Sequence, residues 1–300
     1  MSMDNAINPN KCIDLWAGER SNDDFAVSFR VKDVLFSVQS PYQKVEIVDT
    51  AGYGKMLFND GIVMISERDE FIYHEMIAHV PLFLHPDPKD VLVIGGGDGG
   101  TVREVLKHPG IETCTLCEID ETVIKACQRH IPRTAACLDG DDPRVKIECR
   151  DAAEFIQEDT TRYDIILIDS SDPVGPAAPL FGDDFYKNIS SSLRENGIVV
   201  SQAESPFIYA DIQRGLLEIV KRQFGRVFVY NYSNMTYPGG LWSFSLAAKQ
   251  PLHPVSGFYH DRFEETKLEV LYYSKEMHRS SFCLPPFQQD HLRDIISPVS

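Results

Sequence analysis

The sequence predicts an α/β protein in which a mostly parallel sheet carries helices on both faces and follows a small antiparallel β unit. Three observations point there. The first is a series of short apolar runs, "VLVIGGGDGG", "TCTLCEID", "RVKIECRD", "YDIILIDSSD" and "ENGIVVSQAES", spaced by helical stretches. Buried apolar strands alternating with helices make a parallel sheet covered on both faces. The second is the region from about 25 to 65, where "FAVSFRVKDVLFSVQ", "QKVEIVDT", "GKMLFND" and "GIVMISE" alternate or are β-branched. The turn signals "AGYG" and "NDG" separate them, as in an antiparallel unit. The third is length: 300 residues hold one large α/β domain with a smaller one beside it. The expected division is 1–66 for the β-strand domain and 67–300 for the larger one.

Composition narrows the class. With 43% hydrophobic and 25% charged residues the chain is globular in character. No window approaches the roughly 20 apolar residues of a membrane span. The stretch "MSMDNAINPNKC" lacks the basic patch and apolar run of a signal peptide, so a cytoplasmic location is expected. Seven cysteines, odd in number and scattered, read as reduced thiols. Cys114 and Cys117 form a CxxC, but within a strand those positions point to opposite faces, which argues against a metal or redox pair. A net charge of −16 disfavours nucleic acid and phosphate-rich membranes and suits a cationic small substrate. A generally acidic surface that keeps the chain in solution accounts for the same number.

The elements follow in order. After the β unit, "RDEFIYHEMIAHVPLFL" sets Phe71, Met76, His79 and Val80 near one side at helical spacing behind an acidic start, so a helix is expected that ends near "HPDPKD". Then come the apolar strands, whose carboxyl ends are where such sheets place their sites. Those ends read Gly95 to Gly100, Glu118 with Asp120, Asp151, Asp169 with Asp172, and Glu204. Two further strands surround the Tyr-Pro-Gly-Gly turn in "FVYNYSNMTYPGGLWSFSLAAKQ".

The tip of the first parallel strand, "GGGDGG", fits the turn of a nucleotide-binding βαβ unit. Asp98 is the informative residue, because a phosphate at the helix N-terminus would be repelled by a carboxylate there. A phosphate-free cation suits the loop better. Glu118, at the next strand tip, stands where a carboxylate accepts hydrogen bonds from two ribose hydroxyls, and Asp151 could reach an adenine amino group. Taken singly, each is also explained as a helix cap or a solvated strand end. Together they describe an adenosine carried on a sulfonium.

Asp169 and Asp172 lie where the fourth strand leaves the sheet, and an Asx-type turn is the ordinary explanation. Chemistry offers another. An amine nucleophile, with a pKa near 10 like that of lysine, is protonated at neutral pH and inert until a carboxylate takes one of its protons. Asp169 is then the candidate base, and Asp172 orients the same nitrogen or its neighbours. Pro173 and Pro176 restrict the following loop, expected to fold over the site with Gly175.

At this point the motifs converge. "YQKVEI", "DGIVMISERDEFIYHEMIAHVPL", "GGGDGG", "CEIDETVI", "DSSDPVGPA", "TYPGG" and "LYYSKEMHRSSFCLP", in this order from about Phe29 to Phe287, make the chain resemble the spermidine synthases, polyamine aminopropyltransferases that use decarboxylated S-adenosylmethionine. The resemblance implies a Rossmann-like, methyltransferase-type domain and a homodimer or homotetramer, with no metal and no tightly bound cofactor. It implies that Asp169 is the base and that Gln43, His74, Gly95, Gly97, Asp98, Glu118, Asp151 and Ala152 hold the donor nucleoside. Tyr73, Asp169, Asp172, Glu204 and Tyr237 would hold the amine, putrescine. Asp98 would face the donor's aminopropyl ammonium, which is where a donor retaining its carboxylate would be repelled.

Alternatives stay open: methyl transfer from S-adenosylmethionine to putrescine, aminopropyl transfer to a longer amine such as spermidine, or a non-catalytic polyamine binder. Met235 stands where many family members carry proline and Trp242 where others carry smaller residues, so both are candidates for the acceptor pocket or for plain core packing. Tyr272, Tyr273 and His278 read as a packed C-terminal helix with a surface histidine. Asp60 reads as a turn residue, and His74, next to Tyr73 in a matched motif, as facing the ligand.

Overall fold

The computed structural model describes residues 14–22, 25–170 and 180–299. Five strands open the chain: β1 (Leu15–Asn22), β2 (Phe25–Gln39), β3 (Lys44–Thr50), β4 (Lys55–Asn59) and β5 (Ile62–Ser66). They pair antiparallel in chain order. Asp60 takes a positive φ of 49° in the turn between β4 and β5, and its carboxylate accepts the Lys44 N–H at 2.7 Å, the turn role expected of it. The strand β1 precedes the region expected to be β. Its residues, "LWAGERSN", contain a glycine and several polar groups and show no clean alternation, because an edge strand satisfies its pattern partly in solvent. The sheet curls until β1 meets β5, where the Glu19 carboxylate accepts the Val63 N–H at 2.9 Å.

The larger unit contains α1 (Glu70–Leu82), β6 (Asp90–Gly95), α2 (Gly100–Leu106), β7 (Thr113–Glu118), α3 (Glu121–His130), α4 (Pro132–Ala135), β8 (Val145–Cys149) and α5 (Ala152–Glu158). It continues with β9 (Tyr163–Asp169), α6 (Asp183–Ser192), β10 (Leu193–Gln202), α7 (Ala210–Phe224), β11 (Phe228–Ser233), β12 (Leu241–Ala248), α8 (His260–Thr266), α9 (Lys275–Ser281) and α10 (Pro286–Leu292). The sheet order is β11-β12-β10-β9-β6-β7-β8. From β10 to β8 neighbours run parallel, and β12 and β11 add antiparallel. Strand β6 steps to β7 and β8 on one side, and the chain then returns to lay β9 on the other. The carboxyl ends of β6 and β9 therefore flank the topological switch, where open α/β sheets form their crevice.

The strands are continuous apolar runs because both faces are covered. In β9, Ile165 and Leu167 enter one core cluster while Ile166 and Ile168 enter the other. Each such side chain stabilises the fold by roughly 1.5–3 kcal/mol on burial. The CxxC obeys the same alternation: Cys114 joins the first cluster and Cys117 the second. A third cluster fastens the β unit to the larger one, with Val45, Ile47, Leu57 and Ile65 packed on Val123, Ala126 and Cys127 of α3. No described helix is long and apolar enough to cross a membrane.

Two expectations need correction. Helix α1 was expected to present one apolar side, yet it is buried nearly all round, including Glu70, His74, Glu75 and His79. The polar groups find partners there. Glu75 accepts the backbone N–H groups of Leu271, Tyr272 and Tyr273 at 2.7–2.8 Å. His278 is not a surface histidine: it is fully buried in α9, with Nε2 donating to the Pro254 carbonyl at 2.8 Å and Nδ1 accepting the Tyr273 hydroxyl at 2.9 Å. Burial lowers its pKa to about 4, so it is neutral.

Candidate active site

The tips of β6 and β9 pair directly, Gly95 opposite Asp169. Gly95 has φ +76°, and a Cβ there would lie 2.2 Å from the Asp169 carbonyl oxygen, so only glycine lets the two tips run side by side. Beyond it the loop turns into α2, with the Asp98 carboxylate accepting the Gly100 N–H at 2.9 Å. Gly100 is constrained in another way. A Cβ there would meet the His74 ring at 2.1 Å, so α2 presses its first turn onto α1.

Asp169 ends β9 with both oxygens engaged. Oδ1 accepts the Tyr73 hydroxyl at 2.7 Å and Oδ2 the Thr101 hydroxyl at 2.6 Å. Its pKa is raised, first by burial and then by the charge of Asp98. Tyr73 is pushed well above the ordinary tyrosine value by burial and by Asp169, which keeps it a proton donor. Asp98 is held below its ordinary value: burial alone would raise it, but the neighbouring His74 outweighs that. His74 lies within the wall, fully buried, with Nδ1 2.5 Å from Glu70 and Nε2 3.3 Å from Asp98. Burial favours the neutral ring, and the flanking carboxylates overcome it, raising the pKa to about 10.

Glu118 ends β7, where its oxygens accept the N–H groups of Gly97 at 3.1 Å and Asp120 at 2.9 Å. A carboxylate has about four acceptor sites, so two remain for a diol. Burial lifts its pKa to about 7 against those backbone hydrogen bonds. Asp151 caps α5 through the Ala153 N–H at 2.7 Å, and Ala152 is the next residue on the same wall. Gln43 reaches the site from the β unit, its amide donating to Asp120 at 3.2 Å. Tyr237 donates its hydroxyl to the Met64 carbonyl at 2.7 Å and sets its ring edge-on to Tyr73 at 5.9 Å.

These groups line one cavity between the two units: Gln43, Tyr73, His74, Gly95, Gly97, Asp98, Glu118, Asp151, Ala152, Asp169 and Tyr237. Glu204 is not among the lining residues. It is buried past the end of β10 at a positive φ of 63°, with its carbonyl accepting from Ser243. Asp172, Pro173, Gly175 and Pro176 lie outside the described residues. Trp242 lines the cavity and donates Nε1 to the Pro238 carbonyl at 2.8 Å. Met235 does neither of the things expected of it: its side chain is 56% exposed, because the turn before Tyr237 carries it outward. Sequence reasoning missed Glu19, brought in by the unexpected β1, and Thr101, whose place in the first turn of α2 marks it only as a helical residue.

The charge pattern is predominantly acidic, with the His74 ring set among carboxylates. Glu19, Asp98, Glu118, Asp151 and Asp169 line the cavity, and among the described residues no lysine or arginine does. His74, Asp98 and Asp169 bring ligand atoms within 4.8 Å of one another, the spacing of a metal site. Both His74 nitrogens face carboxylates, however, Nδ1 at 2.5 Å from Glu70 and Nε2 at 3.3 Å from Asp98, surroundings that favour the protonated ring, which has no lone pair for a metal. At an effective dielectric of about 20, the two aspartates repel by roughly 3 to 4 kcal/mol at that distance. A bound ammonium would relieve it; a phosphate would aggravate it.

Comparison with known proteins gives the same picture over nearly the whole chain. A family model described as the spermine/spermidine synthase domain matches residues 70–256, and one described as the spermidine synthase tetramerisation domain matches residues 15–67. A polyamine aminopropyltransferase of Bacillus cytotoxicus is 42% identical over 283 residues, covering 94% of this chain and 100% of that protein. One from Methanocaldococcus jannaschii is 42% identical over 293 residues, covering 96% and 98%. Among solved structures, a spermidine synthase in complex with the transition-state analogue AdoDATO has a TM-score of 0.90 at 38% identity, covering 93% of this chain and 95% of that one. The spermidine synthase of Thermotoga maritima has a TM-score of 0.88 at 38% identity, covering 93% and 94%.

Proposed function

This chain belongs to the spermidine synthase family of polyamine aminopropyltransferases, and from that membership we propose that it transfers the aminopropyl group of decarboxylated S-adenosylmethionine to putrescine. The observation that carries this reading is the set of five carboxylates, Glu19, Asp98, Glu118, Asp151 and Asp169, that outnumber the His74 ring in the cavity wall at the switch point, with Asp98 in the glycine loop. A sulfonium donor with a free ammonium fits it, and a donor bearing a carboxylate beside Asp98 does not. The likeness to a spermidine synthase that holds a transition-state analogue supports the same donor.

In the proposed reaction the acceptor's ammonium gives one proton to Asp169. The freed lone pair forms the C–N bond as the C–S bond breaks, and the bonding electrons stay on sulfur, turning the sulfonium into the neutral thioether of 5′-methylthioadenosine. Tyr73 and Thr101 aim the two oxygens of Asp169, while Tyr237 supplies an aromatic wall. Glu118 takes the ribose hydroxyls and Asp151 the adenine edge; Gln43, Gly95, Gly97, Ala152 and His74 complete the donor side. Glu19 offers a carboxylate to the far ammonium of a diamine. Asp172 completes the acceptor site in this reading.

The test is product analysis with putrescine and each donor in turn. Spermidine and 5′-methylthioadenosine are expected from the decarboxylated donor. Turnover with S-adenosylmethionine alone would replace this reading by methyl transfer, and a faster reaction with spermidine would lengthen the acceptor. For assembly we propose a homotetramer or homodimer built through the β unit, which matches a tetramerisation domain and exposes Leu15, Trp16, Val34 and Val38.

A further inference from the structure

The proposed chemistry needs Asp98 and Asp169 ionised together, although their oxygens lie within 4.8 Å of each other and of the His74 ring. His74 stands between Asp98 and Glu70. A neutral imidazole has one donor and one acceptor nitrogen, so either tautomer would aim a lone pair at a carboxylate. Only the imidazolium sets a positive charge between the two carboxylates, yet a fully buried ring loses its proton readily.

What steadies the charge lies behind the ring. Glu70 is buried, and Arg103 of α2 grips it at both oxygens, Nη1 to Oε1 at 3.0 Å and Nη2 to Oε2 at 2.9 Å. Arg103 is itself fixed by its Nε donating to Glu104 at 2.8 Å. Neither Glu70 nor Arg103 lines the cavity. The charged and titratable groups around this ring are Glu70 and Tyr73 from its own helix, Asp98 from the β6–α2 loop, Arg103 from α2, Asp169 from β9, and Arg133 of α4, 4.0 Å from Glu70. The missing side chain at Gly100 lets α2 sit against the ring, so Arg103, one turn on, arrives in register with Glu70.

We propose that Glu70 and Arg103 are positioning residues for the transfer: their two-point ion pair holds His74 as an imidazolium between Glu70 and Asp98, and that cation keeps Asp98 and Asp169 ionised side by side. The effect on rate rests on the aminopropyl-transfer reading, whereas the charge state of His74 can be measured without it.

The experiment pairs histidine NMR with pH profiles. In the wild-type protein both His74 ring nitrogens are expected to stay protonated through pH 8, with the His74→Asn spectrum identifying the signal. Glu70→Gln keeps an acceptor for Nδ1 but removes the charge. It should bring the His74 titration down by more than about one unit, move the acid limb of kcat/KM up by about one unit, and lower neutral-pH kcat/KM roughly ten- to a hundredfold. Arg103→Met should do the same, and Arg103→Lys should restore most of the rate. A wild-type His74 that is neutral at pH 7 would overturn the proposal. So would folded Glu70→Gln and Arg103→Met variants whose acid limb does not move. If Glu70→Gln does not fold, Arg103→Met and the wild-type spectrum decide. A wild-type protein that transfers no aminopropyl group would remove the functional reading, and the histidine titration would still judge the charge assignment.

Discussion

A single carboxylate at the end of β9 bears the proposed proton transfer, and its two hydroxyl partners divide the work. Asp169→Asn should cut turnover by about two to four orders of magnitude, with donor affinity by calorimetry nearly unchanged. Thr101→Val removes the donor to Oδ2 and should slow the reaction roughly tenfold, rescued by Thr101→Ser. The pH signs follow from the same groups. Asp169 works as the anion and has a raised pKa, so activity falls as pH drops through that raised value and climbs towards mildly alkaline conditions. Glu118, with a pKa of about 7, receives ribose hydroxyls best when ionised, so donor affinity should weaken below about pH 7 in binding measurements. The acidic strand tips were legible because a carboxylate in a glycine loop or at a strand end breaks the expected pattern for a phosphate site. Thr101 was not, since nothing in "GGTVREV" says which way a first-turn hydroxyl faces.

At the scale of elements, α1 is the helix whose sequence misled. Its spacing pointed to one apolar side, but the helix is buried nearly all round, and Glu70, His74, Glu75 and His79 are each matched by partners from distant parts of the chain. Such pairings, across nearly 200 residues in the case of Glu75, leave no local periodicity. Glu75→Ala would remove the acceptor of the N–H groups of residues 271–273, of which that of Tyr273 is buried, and should lower unfolding stability by about 1–3 kcal/mol, read from denaturant melts. Glu75→Gln should recover part of it. By contrast β6 and β9 were readable because each is a continuous apolar run on both faces, as in a doubly covered strand. His278 shows the opposite case, a polar residue in a short C-terminal helix whose partners, Tyr273 and Pro254, gave no sign that it would be enclosed. Its lowered pKa predicts acid lability. The neutral buried ring contributes stability above its unfolded value near 6.5 that is lost as pH falls towards about 4, and His278→Asn should flatten that part of the stability curve.

For the molecule as a whole, the antiparallel unit and the parallel sheet were both foreseeable, but their joint ownership of the cavity was not. The edge strand β1 carries exposed Leu15 and Trp16 and, three residues after Trp16, the buried Glu19 that enters the cavity. Trp16→Glu with Val34→Asp should reduce the assembly's mass in light scattering while leaving the secondary structure intact. That strand also ties two equilibria together. In the proposed assembly, a subunit contact that steadies β1 also steadies Glu19, so association and amine binding would favour each other by the same factor. The apparent KM for the amine should therefore fall as enzyme concentration rises through the dissociation range, and saturating substrate should lower the concentration at which the assembly comes apart.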